Sequence, residues 1–293
     1  MMSVSEMHVL PFSADDIPRL PELQPPAWSD ITPIFRRYLS SGLFLPVKVT
    51  NGTEMIAVGC AIYFGRTSWL AHVIVHPDHR RKGAAGLLVE HLLEILTDRG
   101  VTTVSLIATN DGHPLYRRFG FTDDVQYVFF DNEGMSGSAG APAVDEETGS
   151  PADATSGEYE PIIALDRMIS GENRLRLLHT HLPGAKVIRD ARRVTGVYLP
   201  SLGEGFVEAL SPEAGLQLLA YRLRTHNTRT HNTRTHSLRT YSRCVVPSAN
   251  GTAIQYLNER GFRELFRVWR MSRGPGIDWR PDCIYSRIAG SLG

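Results

Sequence analysis

Cysteine is scarce in this chain of 293 residues, and the three present do not cluster. Cys60, Cys244 and Cys283 are odd in number, far apart and without a Cys-x-x-Cys spacing. Neither a disulfide framework nor a cysteine zinc site is expected. Net charge is missing as well. Lys and Arg number 31 and Asp and Glu number 31, so no global field steers the protein toward nucleic acid or an anionic membrane. No stretch approaches the roughly 18 consecutive apolar residues of a membrane span. The opening MMSVSEMHVLPFSADDIPRL has no basic start and no long apolar core, so it does not read as a secretory signal. The expected setting is the cytoplasm.

What is present suffices for two cores. Apolar residues make up 42% of the chain, and its length fits two domains of ordinary size. Residues 131–158 are rich in Gly, Ser, Ala, Pro and acids and nearly devoid of large apolar side chains. They read as a flexible linker between domains at 1–130 and 159–293.

The first half reads as α+β with a mixed sheet. Thr32-Pro33 reads as an N-cap and first helical residue opening PIFRRYL. The strand-like runs LFLPVKV, MIAVGCAIYF and TSWLAHVIVH are separated by tight turns at Asn51-Gly52 and Gly65, which predicts an antiparallel meander. Leu87, Leu88, Leu92, Ile95 and Leu96 then recur at helical spacing before a terminating Gly100. VTTVSLIAT, a short helix ending at Phe119-Gly120-Phe121, and VQYVFF complete the pattern. The second half repeats much of this order, with a helix near ENRLRLLHTHL, strands AKVIRD, VTGVYLPS and GFVEAL, and helix PEAGLQLLAYRL. Strand CVVPS, helix GTAIQYLNERG and strand FRELFRVWRM follow. The parallel between the halves suggests an internal duplication.

The segment VIVHPDHRRKGAAGLLVEHLLEIL carries the most chemistry. A buried-type strand runs through Arg80, Arg81 and Lys82 into Gly83-Ala84-Ala85-Gly86 and an amphipathic helix. Free amides and partial positive charge gather at such a helix N-terminus, and small residues let a phosphate come close. The loop suits a pyrophosphate. Here the sequence resembles the GNAT acetyltransferase superfamily, whose Gln/Arg-x-x-Gly-x-Gly/Ala motif is met by Arg80, Gly83 and Ala85. The resemblance implies a GNAT-like acyltransferase fold. It also implies acetyl-CoA as co-substrate, with pyrophosphate on the amides of 80–86 and the pantetheine arm on the backbone of Val73, Ile74 and Val75.

A second motif supports it. Asn110 followed by Leu115-Tyr116-Arg117-Arg118-Phe119-Gly120-Phe121 is similar to the family's N…A-x-x-L-Y-x-x-x-G-F, without the small residue ahead of the leucine. The resemblance makes Tyr116 a general acid for the departing thiolate and adds Asn110 to the co-substrate site; the bland alternative is that Tyr116 only packs on the sheet. The implied reaction is direct attack of a primary amine on the thioester. No base is nominated. Trp69 and Ala71 stand where a strand-borne base is expected, and simple alternation turns His72 to the other face. His76 and His79 flank the loop.

The second half resembles a degenerate domain of the same family. GFVEAL runs through Ser211-Pro212 straight into a helix with no glycine-rich loop, and Leu257 falls opposite Tyr116. The Arg- and His-rich repeat at 222–243 reads as an expanded loop rather than a nucleic-acid contact. Spacing by five puts His226, His231 and His236 on no common helix face, so no metal site is expected. The expected partner is a small-molecule or peptide amine, with a homodimer also compatible. A non-catalytic acyl-CoA sensor is the alternative, and the acceptor stays open among amino acids, polyamines, antibiotics and protein amines.

Overall fold

The structure is a computed structural model that describes residues 7–25, 28, 30–132, 151–225, 228–232, 237–241 and 243–292. The chain divides into two compact units. One is made of residues 1–123, 271–276 and 290–292, the other of 124–270 and 277–289 with residue 293.

Unit 1 runs β1 (Met7–Pro11), α1 (Leu20–Leu23), α2 (Thr32–Tyr38), β2 (Phe44–Asn51), β3 (Glu54–Tyr63), β4 (Thr67–Val75), α3 (Ala84–Asp98), β5 (Thr103–Ala108) and α4 (His113–Arg118). The sheet order is β1-β2-β3-β4-β5, antiparallel up to β4 and parallel between β4 and β5. The expected meander is present. Gly52 turns at φ 59° and Gly65 at φ 84°, values that favour glycine. β3 is nearly all buried, which explains its unbroken apolar run: it is covered on both faces. Leu88, Val89, Leu92, Leu93 and Leu96 form the buried stripe of α3, and Gly59 on β3 lets Leu88 and Leu92 sit directly on the strand.

One detail of α2 differs from expectation. Thr32 is the first helical residue and Ile31 occupies the cap position. The Thr32 amide donates to Asp30 Oδ1 at 2.9 Å, so a carboxylate two residues earlier does the capping.

Unit 1 is completed from far downstream. The Thr103 hydroxyl donates to the carbonyl of Pro275 at 2.7 Å, and Gly274, at φ 103°, lies so close that an added Cβ would come 2.0 Å from the Thr102 carbonyl oxygen.

Unit 2 opens with most of β6 (Thr122–Asp131) and continues with β7 (Ala152–Asp153), α5 (Tyr159–Ser170), α6 (Leu175–Leu178), β8 (Lys186–Asp190), β9 (Arg193–Leu199), β10 (Phe206–Ala209) and α7 (Pro212–Thr225). Then come β11 (Thr228–Asn232), β12 (Ser237–Tyr241), β13 (Arg243–Pro247), α8 (Gly251–Glu259), most of β14 (Arg263–Arg273) and β15 (Ile284–Ser286). One sheet has the order β15-β10-β9-β8-β7. In the other, β6 pairs antiparallel with β13 and is flanked on its far side by β14. Leu218 and Leu219 of α7, Ala253 and Leu257 of α8, and Phe130 and Val246 of the strands share the core between them.

The helix expected near ENRLRLLHTHL is short: α6 covers four residues and a 3-10 turn follows. α5, with Ile162, Ile163, Leu165 and Ile169 buried, was not anticipated. Of the linker segment, residues 133–150 lie outside the described residues, while Ala152 and Asp153 pair with Val187 and Lys186 of β8. Within the Arg- and His-rich repeat, β11 and β12 pair antiparallel with Thr228 opposite Tyr241; His226 and His236 lie outside the described residues. No described helix is long and apolar enough to cross a membrane.

Candidate functional site

The site is built where β4 loses its partner. β4 and β5 pair in register from Thr67↔Thr103 to Leu70↔Leu106 and no further, although β4 continues to Val75 and β5 to Ala108. Past Leu70 the two strands diverge. The backbone of 71–75 therefore turns an unpaired edge toward β5, and such groups need a partner when buried.

A bulge produces part of this divergence. Cys60 pairs with Ala71 and Val58 with Ile74, so His72 and Val73 together face the single residue Gly59. His72 takes a left-handed backbone at φ 51°. The alternation that would turn His72 to the opposite face assumes an unbroken strand, and the bulge breaks it. The His72 ring packs against Phe35 at 5.6 Å and Phe44 at 6.5 Å between centroids. Its Nε2 is enclosed without a hydrogen-bond partner, and burial pushes its pKa down to about 4.

After β4 the chain makes a 3-10 turn over Pro77–His79 and then two left-handed residues, Arg81 at φ 60° and Gly83 at φ 99°. The Arg80 Nε donates to the Val75 carbonyl at 3.2 Å, and Lys82 Nζ to the Asp78 carbonyl at 2.8 Å. These bonds fold the loop under the start of α3. That helix has no side-chain cap and no acid in its first turn, and its first internal bond runs from Leu87 N–H to Gly83 O at 3.1 Å. The amides of Gly83, Ala84, Ala85 and Gly86 are thus left for a ligand. A Cβ added to Gly83 or Gly86 would meet nothing within 4 Å, so there is room beside the loop. The residues present fit a pyrophosphate.

β5 leads on to α4. Asn110 is exposed in the turn before it. Tyr116 is 8% exposed, stands edge-on to Phe121 with centroids 5.9 Å apart, and has its hydroxyl pKa raised by burial. Gly112, one turn earlier, was not singled out in the sequence, yet a Cβ there would lie 3.1 Å from Tyr116 Cε2. Its place four residues before the tyrosine is the signal that could have found it.

The corresponding place in unit 2 is filled. The α7 N-terminus is closed by Ser211, whose hydroxyl accepts from the Ala214 amide at 3.3 Å, and it carries Glu213 in its first turn. β15 pairs with β10. On its other side, Ile284 O accepts from Asn250 Nδ2 at 3.0 Å, and the Arg287 amide donates to Val245 O at 3.0 Å. The Tyr285 ring lies where a Cβ on Gly215 would be, 2.1 Å from it. The chain's own strand sits in this notch.

A model of the Acetyltransferase (GNAT) family matches residues 8–121. Among curated proteins, none matches in sequence. Among solved structures, a provisionally assigned acetyltransferase from Pyrococcus horikoshii superposes with a TM-score of 0.77 at 19% identity, covering 100% of this chain and 98% of that one. A GCN5-related N-acetyltransferase from Sphaerobacter thermophilus gives 0.61 at 16% identity over 93% and 98% of the two chains. One from Anabaena variabilis gives 0.56 at 12%, over 91% and 72%. At these identities the likeness is one of fold. The family match covers β4, the glycine-rich loop, α3 and α4, so residues 8–121 carry a domain of the Acetyltransferase (GNAT) family.

Proposed function

We propose that the chain transfers an acetyl group from acetyl-CoA to a primary amine in unit 1. The observation that carries this reading is the uncapped start of α3, reached through left-handed Arg81 and Gly83 beside the unpaired end of β4. The pyrophosphate would lie on the amides of Gly83, Ala84, Ala85 and Gly86. Arg80 and Lys82 shape the loop, and Arg81 adds charge beside it. The backbone of Val73, Ile74 and Val75 would hold the pantetheine arm. Asn110 would donate to it, much as Asn250 donates to the carbonyl of Ile284 in unit 2.

In the reaction the neutral amine nitrogen bonds to the thioester carbonyl carbon, the C–S bond breaks, and the thiolate takes a proton. Tyr116 is the proposed donor. Burial raises its pKa, so the hydroxyl is protonated and present as an O–H donor, and a donor beside the departing thiolate contributes ~10²–10⁴-fold. Holding the amine and the thioester in line supplies much of the remainder.

Unit 2 is proposed to be chemically silent, because its notch holds β15 and its helix N-terminus is already capped. The test is CoA thiol release by the full chain with acetyl-CoA and a panel of amines: 2-phenylethylamine, putrescine, lysine and an alanyl-initiated peptide. Calorimetry of CoA binding should give one site per chain. CoA binding without thiol release from any amine would point to the sensor reading instead.

A further inference from the structure

A proton donor is useful only when its O–H is held in one place, and Tyr116 is carried by a helix too short to hold itself. α4 spans six residues, with no side-chain N-cap and no acid in its first turn. A helix of that length is not stable alone, so its orientation must come from contacts outside it. We infer that the ion pair of His113 and Asp123 fixes α4 in the orientation that presents Tyr116, which makes both of them positioning residues for the proton transfer. The inference rests on the acetyl-transfer reading of unit 1 with Tyr116 as the donor.

Three observations carry it. First, His113 Nε2 lies 2.7 Å from Asp123 Oδ1. A carboxylate only accepts, so the Nε2–H donates, and the bond joins the first residue of α4 to the second residue of β6. Second, the anchor is itself held. The Thr122 hydroxyl donates to the Ser272 carbonyl at 3.3 Å, which ties the start of β6 to the segment 271–276 that completes unit 1. Third, the stretch closed by the pair contains Tyr116. Between residues 113 and 123 the chain turns at Gly120, φ 81°, and the Phe121 amide donates to the Tyr116 carbonyl at 3.1 Å. His113 and Tyr116 are three residues apart and so are neighbours on the helix surface. A bond that stops α4 from turning at one stops it at the other.

The pair matters more for position than for stability. Its side chains are 25% and 34% exposed, and ion pairs so open to water add little to folding. The packing of the Tyr116 ring against Gly112 and Phe121, and the bond from Phe121 to Tyr116, would survive its loss. What would go is the restraint on rotation of α4 about its axis, and a misplacement of ~1 Å at a reacting group can cost ~10²-fold.

The test uses the full chain with acetyl-CoA and the amine of the panel above that it acetylates fastest. His113→Ala and Asp123→Ala should each lower kcat ~5–20-fold, with the Kd for CoA within about twofold of wild type and the Tm within about 3 °C. The double variant should be no slower than either single one, because both remove the same bond. His113→Gln keeps an N–H donor of similar reach and should recover most of the loss. In the Tyr116→Phe background, His113→Ala should cost nothing further, since the hydroxyl it positions is gone. A merely structural role would cost as much there as in the wild type. A kcat within about twofold of wild type in both single variants, or an equal loss in the Tyr116→Phe background, would overturn the inference and leave the acetyl-transfer reading standing. Wild-type turnover by Tyr116→Phe would remove the donor and the inference with it, but not acetyl transfer. No thiol release by the wild type with any panel amine would overturn both.

Discussion

The ring of Tyr116 rests on the bare α-carbon of Gly112, where an added Cβ would come within 3.1 Å of Cε2. Gly112 lies in the turn that feeds α4, and its amide donates to the carbonyl of Thr109 at 3.0 Å. The contact is tight enough that the ring would shift by a few tenths of an ångström. Gly112→Ala should therefore lower kcat ~3–10-fold with little change in CoA affinity, since small misplacements of reacting groups are costly. Tyr116→Phe keeps the packing against Phe121 and removes only the hydroxyl, and should cost ~10²–10⁴-fold in kcat. Steady-state kinetics beside calorimetry separates the two effects. A raised KM with kcat intact would assign Tyr116 to binding alone.

Gly83→Glu addresses the loop. At φ 99° the backbone resists any side chain, and a carboxylate there would repel phosphates from the α3 amides. CoA affinity should fall at least ~10-fold, and calorimetry reads it directly. Unchanged affinity would remove the pyrophosphate from this loop.

Unit 2 carries a pH dependence of its own. Both carboxylate oxygens of Glu208 are buried without a partner, and complete burial, with Asp166 nearby, pushes its pKa well up. The folded state keeps a proton that the unfolded chain releases above its ordinary value of about 4.5. Stability is thus fully present below that pH and declines as pH rises toward the folded pKa. Glu208→Gln should raise the Tm at pH 8 and leave it nearly unchanged at pH 4. Equal shifts at both would show that Glu208 is not protonated in the fold.

Gly274→Ala tests the downstream closure of unit 1. The left-handed φ and the 2.0 Å approach to the Thr102 carbonyl leave no room for a methyl group. Thermal unfolding of the full chain should show a loss of ~1–3 kcal/mol, the usual scale of such backbone strain. An unchanged Tm would mean that residues 271–276 merely lie against unit 1.

Much of the local structure around the candidate site was legible because its signals are local. The step from strand to helix at Gly83, the apolar stripe of α3 and the Gly-Phe pair after Tyr116 are each contiguous in sequence. The bulge was not legible, because alternation through His72 assumes even pairing with β3, and only the partner strand reveals the extra residue. α5 hid behind the polar segment before it, although Ile162, Ile163, Leu165 and Ile169 are spaced for one face. β1 is mostly exposed and offers little apolar signal. β15 is three residues long, and its seat beside β10 depends on pairing across distant sequence.

The late arrival of Gly274 and Pro275 in unit 1 has a consequence for how the protein is made. A ribosome finishes the motif-bearing residues 80–121 long before it reaches residues 271–276. At ~5–20 residues per second the wait is on the order of ten seconds. During it, the backbone around Thr102 and Thr103 lacks its closing segment. Nascent chains stalled before residue 270 should be cut by protease in this region, and chains stalled well past 276 should resist.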